Sequence, residues 1–156
     1  MIVPQLDLKR QHGGLREEIR DALDRVHSSA TFILGEEVDC FEREFAAHVE
    51  AKHCIAVNSG KSALHLALTA AGVGRGDEVI TTANTLIATA EAISYTGAEP
   101  VFVDIDPATG NIESRRIERA MTSQTRALLP VHLYGRPAGR VPKRVWRIHH
   151  TLFLRR

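Results

Sequence analysis

The sequence predicts an α/β fold with a mainly parallel sheet and flanking helices. Three observations predict it. Past residue 52, short apolar runs alternate with helical patterns. Turn-rich segments such as Gly72-Val73-Gly74-Arg75-Gly76-Asp77 and Asp106-Pro107-Ala108-Thr109-Gly110 separate them. The strand–helix–strand–helix order is the one that builds parallel sheets covered by helices.

The elements follow in order. Over residues 12 to 28, Leu15, Ile19, Leu23 and Val26 recur at helical spacing, with Glu17, Glu18, Arg20 and Asp21 on the other face. Residues 36 to 51 repeat the pattern with Val38, Phe41, Phe45 and Val49. The link between them, Phe32-Ile33-Leu34-Gly35, is apolar and closes on a Gly expected to stop a helix. Four runs then read as strands: Cys54-Ile55-Ala56-Val57, Glu78-Val79-Ile80-Thr81, Val101-Phe102-Val103-Asp104 and Ala127-Leu128-Leu129-Pro130-Val131. Pro130 fits a strand only if its missing N–H lies at an edge or a bulge. Helices are expected over Ser62 to Gly72, Asn84 to Tyr95 and Ser114 to Met121. Glu113-Ser114 opens the last of these, and Arg115, Arg116 and Arg119 form its solvated face. Asp104 and Asp106 read as strand-end and turn residues.

The stretch Ser59-Gly60-Lys61-Ser62 carries the chemistry. It resembles the end of a P-loop, but that motif needs a Gly five residues before Gly60, and Ile55 stands there. A β-branched residue in an apolar run cannot wrap a phosphate, which argues against an ATPase or GTPase. The other reading requires less. A chain turning through Asn58-Ser59-Gly60 into a helix presents unpaired N–H groups and a partial positive charge, a ready anion site. Ser59 and Ser62 add hydroxyls and Lys61 a cation. On local sequence alone, Ser59 could equally be a plain N-cap with nothing bound.

The neighbours extend this stretch into an ordered set. Asn58-Ser59-Gly60-x-Ser62-Ala63-Leu64-His65-Leu66-Ala67-Leu68 is followed by Gly76-Asp77-Glu78-Val79-Ile80 and Thr85-Leu86-Ile87-Ala88-Thr89-Ala90. Next come Gly97-Ala98-Glu99-Pro100-Val101-Phe102-Val103-Asp104-Ile105-Asp106 and Pro130-Val131-His132-Leu133-Tyr134-Gly135. Upstream stand Asp7-Leu8-Lys9-Arg10-Gln11 and Phe32-Ile33-Leu34-Gly35-x-Glu37-Val38-x-x-Phe41-Glu42. Together, from about Pro4 to about Ala138, they resemble the DegT/DnrJ/EryC1/StrS family of sugar aminotransferases.

The resemblance implies the N-terminal part of an aspartate-aminotransferase-like, type I PLP-dependent large domain over residues 1 to 138. It implies transfer of an amino group, commonly from glutamate, to a nucleotide-linked keto-sugar, with pyridoxal 5′-phosphate (PLP) as electron sink. It implies a homodimer, because the family's active sites lie between two subunits. Carried over residue by residue, Gly60, Lys61 and Ser62 would offer N–H groups to the cofactor phosphate, and Leu86 would lie against the pyridine ring. Two positions depart from the family. Lys61 stands where members usually carry a small hydroxyl residue, so it would either pair with the phosphate or crowd it. Leu86 stands where an aromatic residue stacks on the ring; otherwise it reads as a core leucine. His132, at a strand end, faces the pocket or is a hydrogen-bonded structural histidine, the latter being the simpler expectation.

The family's pyridine-binding Asp and Schiff-base Lys have no counterpart in these 156 residues; the lysines are Lys9, Lys52, Lys61 and Lys143. The expectation is a chain truncated before its catalytic residues and inactive alone. Half a sheet is also expected to leave a hydrophobic edge. The alternative from another class is a non-catalytic remnant or binding module that pairs with a full-length paralogue.

Residues 139 to 156 match nothing in the family. Residues 140 to 156 hold six of the chain's 20 basic residues and none of its 19 acidic ones, together with its one Trp. This reads as a disordered or out-of-frame segment beginning near Gly139, rather than as a nucleic-acid or membrane anchor. His149-His150 within it make a poor metal site, and no metal is expected elsewhere. With 44% hydrophobic and 25% charged residues the chain reads as soluble. No apolar run reaches ~18 residues, and Met1-Ile2-Val3-Pro4 lacks a signal-peptide layout, so a cytoplasmic location is expected. Cys40 and Cys54 suit buried small side chains better than a disulfide framework.

Overall fold

The computed structural model describes residues 6–139, 146–148 and 152–154. The expectations placed on Met1–Pro4, on His149-His150 and on the basic tail's side chains lie outside the described residues. The chain forms two compact units, Met1–Ala56 and Val57–Arg156.

The first unit holds α1 (Leu8–Gly13), α2 (Arg16–Ser29) and α3 (Glu36–His48). Asp7 caps α1 by accepting the Arg10 N–H at 3.1 Å. Gly35 acts differently from its expected role as a helix stop. The left-handed residue that ends α2 is Ala30, whereas Gly35, at φ +105°, begins α3. A Cβ at Gly35 would also stand 2.9 Å from Thr31 Cγ2, so only glycine fits there. Arg25 Nε donates to Glu37 Oε1 at 2.6 Å, and Phe41 stacks on Phe45 at 5.5 Å. Among this unit's described residues, Ala46 alone is fully buried.

The second unit is the expected α/β body. It contains α4 (Gly60–Ala70), β1 (Glu78–Thr82), α5 (Ile87–Tyr95), β2 (Glu99–Val103), α6 (Ser114–Ala120) and β3 (Thr125–Leu128). β1 lies between β2 and β3 and pairs with both in parallel. Successive side chains on a strand face opposite ways, and the core divides accordingly. Val79 packs with Leu68, Ile93, Ala98, Ala127 and Leu129, on the side of α4 and α5. Ile80 packs with Val103, Ile112, Ile117 and Leu128, on the side of α6. The sheet therefore carries helices on both faces.

β3 stops at Leu128, two residues before Pro130, although Leu129 N–H still donates to Ile80 O at 2.8 Å. The outer side of β3 is paired. The backbones of β4 (Trp146–Ile148) and β5 (Leu152–Leu154) form an antiparallel hairpin, and β5 pairs antiparallel with β3. The edge expected to be open is thus occupied over Ala127 and Leu128.

Cys54-Ile55-Ala56-Val57 does not form the expected strand. Ile55 is 80% exposed. The run has strand composition, but a strand also needs a neighbouring strand to take its backbone groups, and this run pairs with none of the described strands. Cys40 and Cys54 are both free thiols and partly buried.

Candidate cofactor-phosphate site

α4 begins where the sequence placed the anion-binding turn, slightly earlier than the expected Ser62. Ser59 is its N-cap in extended backbone, and its Oγ accepts the Ser62 N–H at 3.1 Å. The same hydroxyl donates to Ser62 Oγ at 3.0 Å. This closes a small ring between the two serines. Ser62 N–H, expected to face a phosphate, is therefore used within the cap. Ser62 keeps its own hydroxyl hydrogen. Gly60 and Lys61, the first two helical residues, have N–H groups with no intrahelical acceptor. The donor set at this end is the Gly60 N–H, the Lys61 N–H and the Ser62 O–H, with the helix dipole behind them.

The space above the turn is open. A Cβ at Gly60 would meet nothing within 4 Å. Gly60 has a right-handed backbone, so its value at this position is access rather than torsional freedom. An open donor set of this kind fits a phosphate dianion.

The Lys61 side chain is engaged elsewhere. Its Nζ donates to Glu91 Oε2 at 3.1 Å and to Tyr95 Oη at 3.5 Å, both on α5. It also lies 5.1 Å from the centre of the Tyr95 ring, a cation–π distance. Glu91 first, then Tyr95, hold the ammonium above the ordinary lysine range. Of the two outcomes weighed for Lys61, pairing with a phosphate or crowding it, the side chain's geometry shows neither.

Leu86 is the residue before α5 and is 73% exposed, so it is not a core leucine of this unit. Its carbonyl accepts the Thr89 N–H at 3.0 Å while its side chain stays open. It follows the C-terminal end of β1, the side of a parallel sheet where ligands bind.

His132 is exposed at the exit from β3, and its Nδ1 accepts the Ala138 N–H at 3.0 Å. That fits the structural reading. The segment around it depends on Asn111, which sequence reasoning did not single out. Asn111 is buried, accepts the Leu133 N–H at 3.2 Å and donates to the carbonyls of Arg136 and Pro137 at 3.0 and 3.2 Å. Asp106 Oδ1 accepts the Ala108 N–H at 2.9 Å, as a turn-forming Asp does. Arg115, Arg116 and Arg119 are exposed, as expected of a solvated face, and Arg116 also bridges Glu113 and Asp104 at 2.8 and 3.2 Å. A recess of about 690 Å³ beside β2 and α6 is lined by Phe102, Asp104, Arg115 and Arg119 among others, and by none of Gly60, Lys61, Ser62 and Leu86.

Sequence reasoning also missed Glu91, Tyr95 and His65. Lys61 and His65 are four residues apart on α4, and Glu91 and Tyr95 four apart on α5. That spacing puts each pair on one helical face. It does not say that the two faces meet.

The profile of the DegT/DnrJ/EryC1/StrS aminotransferase family matches residues 14–143. A pleiotropic regulatory protein of Geobacillus stearothermophilus is 54% identical over 138 residues, 88% of this chain and 37% of the relative. The dTDP-3-amino-3,4,6-trideoxy-alpha-D-glucose transaminase of Streptomyces venezuelae is 49% identical over 136 residues, 87% of this chain and 36% of the relative. Among solved structures, S. venezuelae DesV in complex with a ketimine intermediate superposes with a TM-score of 0.82 at 49% identity, over 87% of this chain and 37% of that one. The chain thus spans 36–37% of the length of these relatives. The family is PLP-dependent, and the fold of the covered part is that of its aminotransferases. Among the described residues, no helix is long and apolar enough to cross a membrane. The chain belongs to the DegT/DnrJ/EryC1/StrS aminotransferase family.

Proposed function

We propose that this chain carries the cofactor-phosphate part of a PLP-dependent aminotransferase acting on nucleotide-linked keto-sugars. The amino donor is one such as glutamate, and the whole enzyme is a cytoplasmic homodimer. One observation carries the reading. The first turn of α4 offers an open set of donors, the N–H groups of Gly60 and Lys61 and the Ser62 hydroxyl, within the part of the chain that aligns with a dTDP-sugar transaminase. Bound PLP supplies the electron sink for amino transfer. The chain's own residues hold and orient it: the donors grip the phosphate, and Leu86 offers an apolar surface to the ring by dispersion, without the stacking geometry of an aromatic side chain.

Lys61 is held by Glu91 and Tyr95, so it does not serve as the Schiff-base lysine. On this reading the chain holds the cofactor phosphate without bonding the cofactor through Lys61. The family match runs through residue 143, past the expected boundary at Gly139, and the basic segment after it is foreign to the family; reading the DNA after codon 139 in all frames tests this, since family-like Asp and Lys motifs in another frame would support it and their absence from every frame would contradict it.

The experiment for the site is a titration of the purified chain with PLP and with pyridoxal, followed by borohydride. Tighter binding of PLP than of pyridoxal, without borohydride-fixed cofactor or glutamate turnover, is the expected result. Stoichiometric fixation together with turnover would overturn the proposal. A second reading, a non-catalytic module pairing with a full-length paralogue, draws on the 54%-identical relative being named a regulatory protein. Co-purification with such a subunit would favour it.

A further inference from the structure

We propose that Lys61 is a positioning residue, a clip that fastens the first turn of α4 to α5 through Glu91 and Tyr95, rather than a ligand of the anion bound at that turn. The part of this inference that concerns the anion rests on the cofactor-phosphate reading above; the clip itself does not.

The clip is built from two facing helix rows. On α4, Lys61 and His65 are one turn apart; on α5, so are Glu91 and Tyr95. The Lys61 ammonium spends one proton on Glu91 Oε2 at 3.1 Å and one on Tyr95 Oη at 3.5 Å, and it stands 5.1 Å from the centre of the Tyr95 ring. His65 meets the same ring edge-on, with centroids 5.8 Å apart and planes at 78°. Tyr95 is thus held between the two members of the α4 row. The Lys61 and Glu91 side chains are 37% and 39% exposed, so solvent screens the pair without abolishing it.

This arrangement matters at the turn because Lys61 contributes twice. Its backbone N–H belongs to the donor set, while its side chain is the tether. Fixing the side chain on α5 fixes the orientation of that N–H and of the neighbouring Gly60 N–H. A cation that swung toward the anion would have to leave Glu91 and the ring together. The ammonium stays charged where it is, because Glu91 and Tyr95 both favour the protonated form.

The test is a double-mutant cycle on the full chain with Lys61→Met, Glu91→Gln and the pair, plus Lys61→Arg as the conservative variant. Thermal unfolding is read first. Each single change is expected to lower the folding equilibrium about two- to fivefold, and the pair no further than either alone. Additive losses would overturn the clip. Affinity for PLP, measured calorimetrically against pyridoxal, is read second. Lys61→Met and Glu91→Gln are expected to weaken PLP binding in the same direction and to a similar extent, with Lys61→Arg restoring most of it. A direct ligand predicts opposite signs: Lys61→Met weaker, and Glu91→Gln tighter because the freed ammonium turns to the phosphate. That pattern would overturn the positioning role. Should the unmodified chain hold PLP no better than pyridoxal, the cofactor-phosphate reading fails, and the unfolding cycle alone still decides for or against the clip.

Discussion

Replacing Asn111 by alanine should loosen the segment after β3 more than any other single polar change in this unit. The side chain is 3% exposed and makes three hydrogen bonds to the 133–137 backbone. In Asn111→Ala the carbonyls of Arg136 and Pro137, both in exposed residues, turn to water at little cost. The Leu133 N–H is part-buried and loses its acceptor, which costs about 1–3 kcal/mol. With only a small further contribution from the two rehydrated carbonyls, the expected loss is roughly 2–3 kcal/mol, the upper part of that range. For a chain of this size that corresponds to a midpoint lower by about 5–10 °C. Urea unfolding measures the loss, and hydrogen exchange at the Leu133 amide locates it. Asn111→Asp separates acceptor from donor. It keeps the bond from Leu133 N–H but sets a carboxylate against two carbonyl oxygens, so at neutral pH it should be worse than alanine. Protonation restores one donor. The carboxyl's folded pKa is therefore raised, and the penalty appears as pH rises through the ordinary carboxylate range. If Asn111→Ala leaves both stability and Leu133 exchange unchanged, or if Asn111→Asp is no worse than alanine at neutral pH, the anchoring role is wrong.

Other expectations are simpler. Ser59→Ala removes the α4 cap and should cost about 1 kcal/mol in urea unfolding; a loss near zero would mean that the serine ring contributes nothing. Ile93→Ala empties a fully buried position in the α4–α5 face of the core and should cost about 2–5 kcal/mol in urea unfolding, a large share of the roughly 5–15 kcal/mol typical of a domain; a loss near zero would mean that this face is not packed as described. Glu37 titrates below the ordinary carboxylate range because Arg25 donates to it. The stabilisation from that bond is present above the unfolded pKa and is lost as pH falls through the folded one. By NMR titration, Arg25→Met should move the Glu37 midpoint upward, and an unmoved midpoint would show that the bond does not persist in solution.

Much of the second unit was legible because each signal there is local. β1 and β2 are apolar runs between turn residues, and α4 begins with a Ser whose side chain caps it. The Ser59-capped turn that opens α4 was legible for the same reason. What could not be read depends on partners distant in sequence. Cys54–Val57 has the composition of a strand, but pairing decides whether a strand forms. Gly35 signals a break in both directions, and only the left-handed Ala30 shows that α2 has already ended. Lys61 looked like a phosphate ligand because the nearest features in sequence were glycine and serine. Its actual partners, Glu91 and Tyr95, lie 30 and 34 positions away. Leu86 reads as core by residue type, while its place at the start of α5 leaves it exposed. Asn111 gave no signal at all, since a buried Asn in a turn and an exposed one look alike in sequence.

The two tyrosines give the molecule a built-in pair of chemical reporters. Tyr134 is 98% exposed and projects from a left-handed backbone position in the segment anchored by Asn111. Tyr95, the other one, is 58% exposed and has its hydroxyl against the Lys61 ammonium. A phenol-selective reagent such as tetranitromethane should therefore modify Tyr134 first in the folded chain. Mapping the two sites by mass spectrometry over time reads the Asn111-anchored loop and the α4–α5 junction in one sample, without any label being introduced.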